Sequence, residues 1–146
     1  MSDFRKVTES FWASPQIGLS DVAEARMLGF TLIINNRPEG ESDDQTSGGE
    51  IAEAARAAGM DYCAIPVTHA GFNEGQVEAM VAALDGARGP VLAYCRSGTR
   101  STLLWSLAQA ASGTSPEEIA LAAAGAGYDV GPIRPLIDTL SARSQA

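Results

Sequence analysis

The sequence predicts a single α/β domain with a mostly parallel central sheet flanked by helices. Three observations carry this expectation. Short apolar segments, "FTLIIN" (30–35), "DYCAIPV" (61–67) and "PVLAYC" (90–95), alternate with stretches of helical pattern. These strands are apolar throughout rather than at every second position, so both faces of the sheet need cover. The 146 residues, 45% of them hydrophobic, suit one domain spanning 1–146 with a core that needs no disulfide staples.

The elements follow in order. "ESFWASPQI" (9–17) reads as a short strand that turns at Pro15. "SDVAEARMLG" (20–29) reads as a helix with Ser20 as N-cap and Gly29 as its stop. "FTLIIN" is a buried strand. "NRPEGESDDQTSGG" (36–49) is polar and rich in turn formers, which predicts a long, mobile loop with a solvated acidic run at Glu39–Asp44. "EIAEAARAAG" (50–59) is a helix ending on Gly59, and "DYCAIPV" a strand that leads into the loop "THAG". Asn73 and Gln76 stand in capping-box positions for a helix that closes near Gly86. "PVLAYC" is a strand, and "TRSTLLWSLAQAAS" (99–112) a helix stopped by Gly113. Ser115, Pro116 and Glu118 announce the next helix, and Ile133, Leu136, Ile137 and Leu140 mark a last one over roughly 132–143. The C-terminal helices should pack together on one side of the sheet. Ligands of such folds sit beyond the carboxyl ends of strands. Three loops leave such ends: 35–44, 66–73 and 95–99.

Composition narrows the partners. Ten basic and eighteen acidic side chains give a net charge of −8, which argues against nucleic acid and anionic membrane. No apolar run reaches the roughly 18 residues of a membrane span. The opening residues lead into no apolar segment, so a secretory signal is not expected. Two cysteines, Cys63 and Cys95, make no disulfide framework. No CxxC or His/Cys cluster suggests a metal, and no organic cofactor is expected. A reduced, cytoplasmic setting is the expectation.

Against that acidic background, "CRSGTR" (95–100) concentrates two of the ten basic residues beside a thiol. Cys95 ends an apolar strand, and Thr99 or Arg100 starts a helix. A helix N-terminus carries unpaired N–H groups and about half a positive charge. A tight loop there curls its N–H groups into an anion nest, and Gly98 permits the backbone angles. Arg96 and Arg100 add formal charge. Together these favour a thiolate and would hold an incoming oxyanion against it. The bland alternative is a cysteine serving as a small buried hydrophobe.

Spacing bears on the chemistry. Cysteine phosphatases separate Cys and Arg by five residues, and that count from Cys95 reaches Ser101. Here four residues separate Cys95 from Arg100. "CRSGTR" resembles the six-residue rhodanese loop, which favours a persulfide on Cys95. "TLIINNRPEGE", "AIPVTHAGF", "GPVLAYCRSGTRSTLLWSLAQA" and "GYDVGPIRPLID" together resemble another family: the phosphatase-like domain of beta-lactamase-hydrolase-like proteins. The resemblance runs from about Phe11 to Leu140. It implies a dual-specificity-phosphatase-like fold with the short loop, in members described as phosphatases or as sulfur transferases.

Two readings stay open here. In the leading one, a sulfurtransferase, Cys95 takes sulfane sulfur from a small anionic donor. It passes the sulfur to a thiol or to cyanide, and the N–H groups of Ser97 to Arg100 cradle the persulfide. Arg96 and Arg100 hold the donor. In the alternative, Cys95 attacks a phosphate ester and forms a phosphocysteine. A phosphatase of this fold carries an Asp acid in the loop after the preceding strand. "PVTHAGFN" has none, and His69 is the group there that can deliver a proton near neutral pH. A non-catalytic anion sensor is a third reading. Arg37 is a candidate cation over the site, or a partner of Glu39 or Glu41. Ser101 is a candidate donor to the thiolate, or a helix cap. Ser97 and Thr99 should serve through backbone N–H rather than side chains. Cys63 should be a core residue, with a resolving thiol as its minor role.

Overall fold

Alternation within each strand decides the layering. The computed structural model describes residues 2–145. In chain order the strands are β1 (Arg5–Thr8), β2 (Phe11–Ser14), β3 (Leu32–Asn35), β4 (Asp61–Ala64) and β5 (Val91–Tyr94). They form one sheet in the order β1-β2-β5-β3-β4. All neighbours are parallel except β1 and β2. The helices are α1 (Leu19–Met27), α2 (Gly48–Ala57), α3 (Glu74–Asp85), α4 (Thr99–Ala111), α5 (Pro116–Gly125) and α6 (Arg134–Gln145), with a short 3-10 turn at Gly131–Ile133.

Successive side chains of a strand point to opposite faces. Phe11, Ala13, Leu32, Ile34, Val91 and Ala93 therefore enter the core built with α3–α6. Ile33, Leu92 and Tyr94 enter the core under α1 and α2. The strands are apolar throughout because both faces are covered. α4 is the central helix and packs against α3, α5 and α6 as well as the sheet. It is buried on nearly all sides, which is why its sequence lacks a polar stripe. Trp105 from α4 stacks on Phe11 with ring centroids 5.5 Å apart.

The structure adds one strand and corrects several local expectations. β1 is a strand although "RKVT" shows no apolar run. It is an edge strand that buries only Val7, and its charges suit an edge. α1 begins earlier than Ser20: Gly18 is the N-cap, and the Asp21 carboxylate accepts the Gly18 N–H at 2.8 Å. β4 is the opposite edge and is only partly covered, so Cys63 is half-buried rather than deep in the core. The loop before α2 is tied down rather than loose. Gln45 bonds the Pro38 carbonyl and the Glu41 N–H, and the Glu39 carboxylate receives the Gly48 N–H. α2 starts at Gly48 with Ser47 as N-cap. The caps at Asn73–Gln76 and Ser115–Glu118 form as expected.

β5 lies at the centre of the sheet, so its carboxyl end is flanked by those of β2 and β3. The next residue is Cys95. Its N–H reaches the Ser14 carbonyl at 3.4 Å, and the Asn36 N–H on the other flank reaches the Tyr94 carbonyl at 2.8 Å.

Candidate active site

The loop Cys95–Gly98 joins β5 to α4, whose N-cap is Gly98 at φ +92°. That left-handed angle turns the chain back over the sulfur, and the Gly98 N–H donates to Cys95 Sγ at 3.1 Å. An added Cβ on Gly98 would lie 2.2 Å from Tyr128 Oη, so glycine is required for space as well as for angle. The backbone N–H groups of Ser97, Arg100 and Ser101 have no acceptor among the described residues. They belong to the same turn, as an anion nest requires. Thr99 departs from expectation: its N–H goes to Ser97 Oγ at 3.3 Å, and Ser97 Oγ also bonds Thr99 Oγ1. The two side chains brace the loop.

Cys95 is completely buried. The two arginines divide. Arg96 is exposed, makes no ion pair among the described residues, and meets the loop through its carbonyl, which accepts the Gln16 N–H. Arg100 turns inward. Its Nη1 donates to Glu41 Oε2 and to the Val67 carbonyl, both at 2.7 Å, and its Nη2 to Glu41 Oε1 at 2.8 Å. A guanidinium has five N–H bonds. These contacts use three, and the remaining Nε–H and Nη2–H lie together on one edge. The Glu41 carboxylate raises the Arg100 pKa, burial opposes it, and the charge of a Cys95 thiolate raises it further.

Glu41 pairs with Arg37, the alternative offered for that arginine, and with Arg100, which its spacing did not foretell. It lies in the acidic run expected to be solvated. Instead it bridges Arg100 to Arg37, whose Nε is 2.9 Å from Oε1. The Arg100 guanidinium foremost, against burial and with help from Arg37, holds its carboxyl at about 2. Arg37 is therefore not an open cation over the site. It is 4% exposed and also donates to Gln16 and Ser42. Its sequence neighbour Glu41 lay within reach, but spacing alone did not say that one carboxylate would serve two arginines.

Ser101 is fully buried on the first turn of α4, and its Oγ has no partner among the described residues. It does not bond Cys95 here. His69 is exposed on the turn after Val67 and makes no side-chain hydrogen bond among the described residues. Tyr128, also unassigned from sequence, packs behind the loop and donates to the Ser97 carbonyl at 3.1 Å. Cys63 has its pKa raised by burial. The described residues contain no cluster of three or more His, Cys, Asp or Glu side chains that could hold a metal, and no helix long and apolar enough to cross a membrane.

Residues 3–112 match the family model for the beta-lactamase hydrolase-like protein, phosphatase-like domain. The chain belongs to this family. A beta-lactamase hydrolase-like protein of Agrobacterium fabrum is 36% identical over 108 residues, which are 74% of this chain and 25% of that relative. The chain thus spans between a quarter and a third of the curated relatives it matches. Among solved structures, a candidate phosphatase from Neisseria meningitidis is 33% identical, with a TM-score of 0.83 over 96% of this chain and 99% of that one. A cysteine-to-serine form of TpbA from P. aeruginosa, in complex with phosphotyrosine, shares the fold alone. It is 14% identical, with a TM-score of 0.66 over 98% of this chain and 90% of that one. The phosphatase-like domain therefore has the fold of cysteine phosphatases, here with the short CRSGTR loop.

Proposed function

We propose that this domain hydrolyses phosphate monoesters through Cys95. The observation that carries the reading is the aimed guanidinium. Arg100, in the first turn of the helix that follows Cys95, has its outer edge held by Glu41 and Val67. Its Nε–Nη2 edge is left for a planar, two-pronged contact with phosphate oxygens. The free N–H groups of Ser97, Arg100 and Ser101 add donors for the remaining oxygens. Family membership and the phosphatase description of the Neisseria relative support the same direction. So does the phosphotyrosine bound to a protein of this fold.

The Cys95 thiolate attacks phosphorus, a P–S bond forms and the P–O ester bond breaks. His69 gives its proton to the departing alkoxide. Water then attacks phosphorus, His69 takes back a proton, and inorganic phosphate leaves with the thiolate restored.

Sulfur transfer is the second reading, favoured by one observation. Only four residues separate Cys95 from Arg100, and this tight loop suits a single sulfur atom on Cys95 better than a phosphoryl group. One assay separates the two: phosphate release from an aryl phosphate beside thiocyanate formation from thiosulfate and cyanide. Phosphate release that Cys95→Ser abolishes is the expected result. Thiocyanate formation without phosphate release would replace this reading with the second. Neither product would overturn both.

A further inference from the structure

We propose that Tyr128 is a positioning residue for the Cys95 nucleophile. Its hydroxyl holds the Ser97 carbonyl, so that the N–H at the other end of the same peptide unit points at Sγ. The inference rests on Cys95 being the reacting group.

A trans peptide is rigid and planar, and its C=O and N–H point in opposite directions. Fixing either end therefore aims the other. The Ser97 carbonyl accepts from Tyr128 Oη at 3.1 Å, and the Gly98 N–H meets Cys95 Sγ at 3.1 Å. The peptide 97–98 is pinned between an external hydroxyl and the sulfur. Such pinning has a purpose, because a peptide beside glycine rotates more readily than others. If this one turned over, a carbonyl oxygen would face the sulfur and oppose its negative charge.

Tyr128 is itself held. It is 7% exposed and packs in the core that also holds Trp105 and Ile119. The Arg5 guanidinium lies 5.4 Å from its ring centroid. The backbone at Ser14 closes the loop from another side, 3.3 Å from the place of a Gly98 Cβ. Burial raises the Tyr128 pKa, so the hydroxyl keeps the proton it donates. Arg5 lowers this pKa, while Cys95 and Asp3 raise it. Arg100, which also acts on Cys95, is paired with Glu41. Both lie on elements other than that of Tyr128.

The test reads ionisation directly. In a Cys63→Ala background, cysteine is labelled with carbon-13 and the Cys95 Cβ resonance is followed against pH. Tyr128→Phe keeps the ring and removes the hydroxyl. Its expected effect is a rise of about one pH unit in the Cys95 midpoint with the melting temperature nearly unchanged. The wild-type chain supplies a second arm: the Gly98 amide proton should shift along the same titration. A midpoint unmoved by Tyr128→Phe would overturn the proposal, as would a Gly98 amide that ignores the titration. So would a Cys95 that stays neutral throughout. No arm depends on turnover, so the proposal can fail while the phosphatase reading stands, and the reverse.

Discussion

Glu41 and Arg100 form a two-pronged ion pair across 59 positions of sequence, with N–O distances of 2.7 and 2.8 Å. The pair joins the rim loop to the first turn of α4. The same carboxylate also neutralises Arg37, which is 4% exposed.

Removing that carboxylate strands a buried cation. Glu41→Ala should lower stability by about 3 kcal/mol, the usual size for breaking one side of a buried pair. Glu41→Gln keeps the shape and one acceptor, and should lose about 1–2 kcal/mol. Urea melts check both values. The KM for aryl phosphate should rise in each variant, because Arg100 is released from its aimed position.

Acid should reveal the same link. The Glu41 carboxyl is held at about 2, below the usual glutamate value of 4.5. A depressed carboxylate contributes stability that is complete above the unfolded value and fades as pH falls toward the folded one. Melting temperatures should therefore drop between about pH 4.5 and pH 2, and Glu41→Gln should flatten part of that slope. A wild-type curve identical to the variant's would contradict the pairing of Glu41 with Arg100.

Gly98→Ala combines two penalties: a left-handed φ of +92° and a contact of 2.2 Å with Tyr128 Oη. A loss of about 2–3 kcal/mol is expected, with phosphate release reduced at least about 100-fold. Thermal unfolding and steady-state kinetics measure the two effects separately.

The two arginines of the loop should behave differently. Arg100→Lys keeps a charge but loses the planar fork, so kcat/KM for aryl phosphate should fall about 100-fold. Arg96 is exposed and unpaired among the described residues, and Arg96→Ala should change kcat/KM about threefold at most. Equal losses in both variants would show that Arg96 reaches the substrate.

Much of this was legible in the chain. "FTLIIN" and "PVLAYC" announced strands covered on both faces, and Ser115-Pro116 and Asn73–Gln76 announced helix starts, because those signals act over a few residues. "CRSGTR" announced a strand–loop–helix junction for the same reason: Gly98 and the helix N-terminus are neighbours of Cys95. The edge strand "RKVT" was not legible, since only its pairing with β2 makes it a strand.

The sequence by itself determined the layered α/β architecture and the thiol at the carboxyl end of an apolar strand. Hydrophobic period and capping are local properties, and a chain writes them locally. Only the tertiary structure decided which groups serve that thiol. Glu41 meets Arg100 from 59 residues away, and Tyr128 reaches Ser97 from 31 away. One "solvated" carboxylate became a half-buried bridge, and one flanking arginine turned inward while the other faced water. Such choices follow from which loops converge at the end of the sheet, and charge pairing and exclusion of water settle them only once the chain has closed.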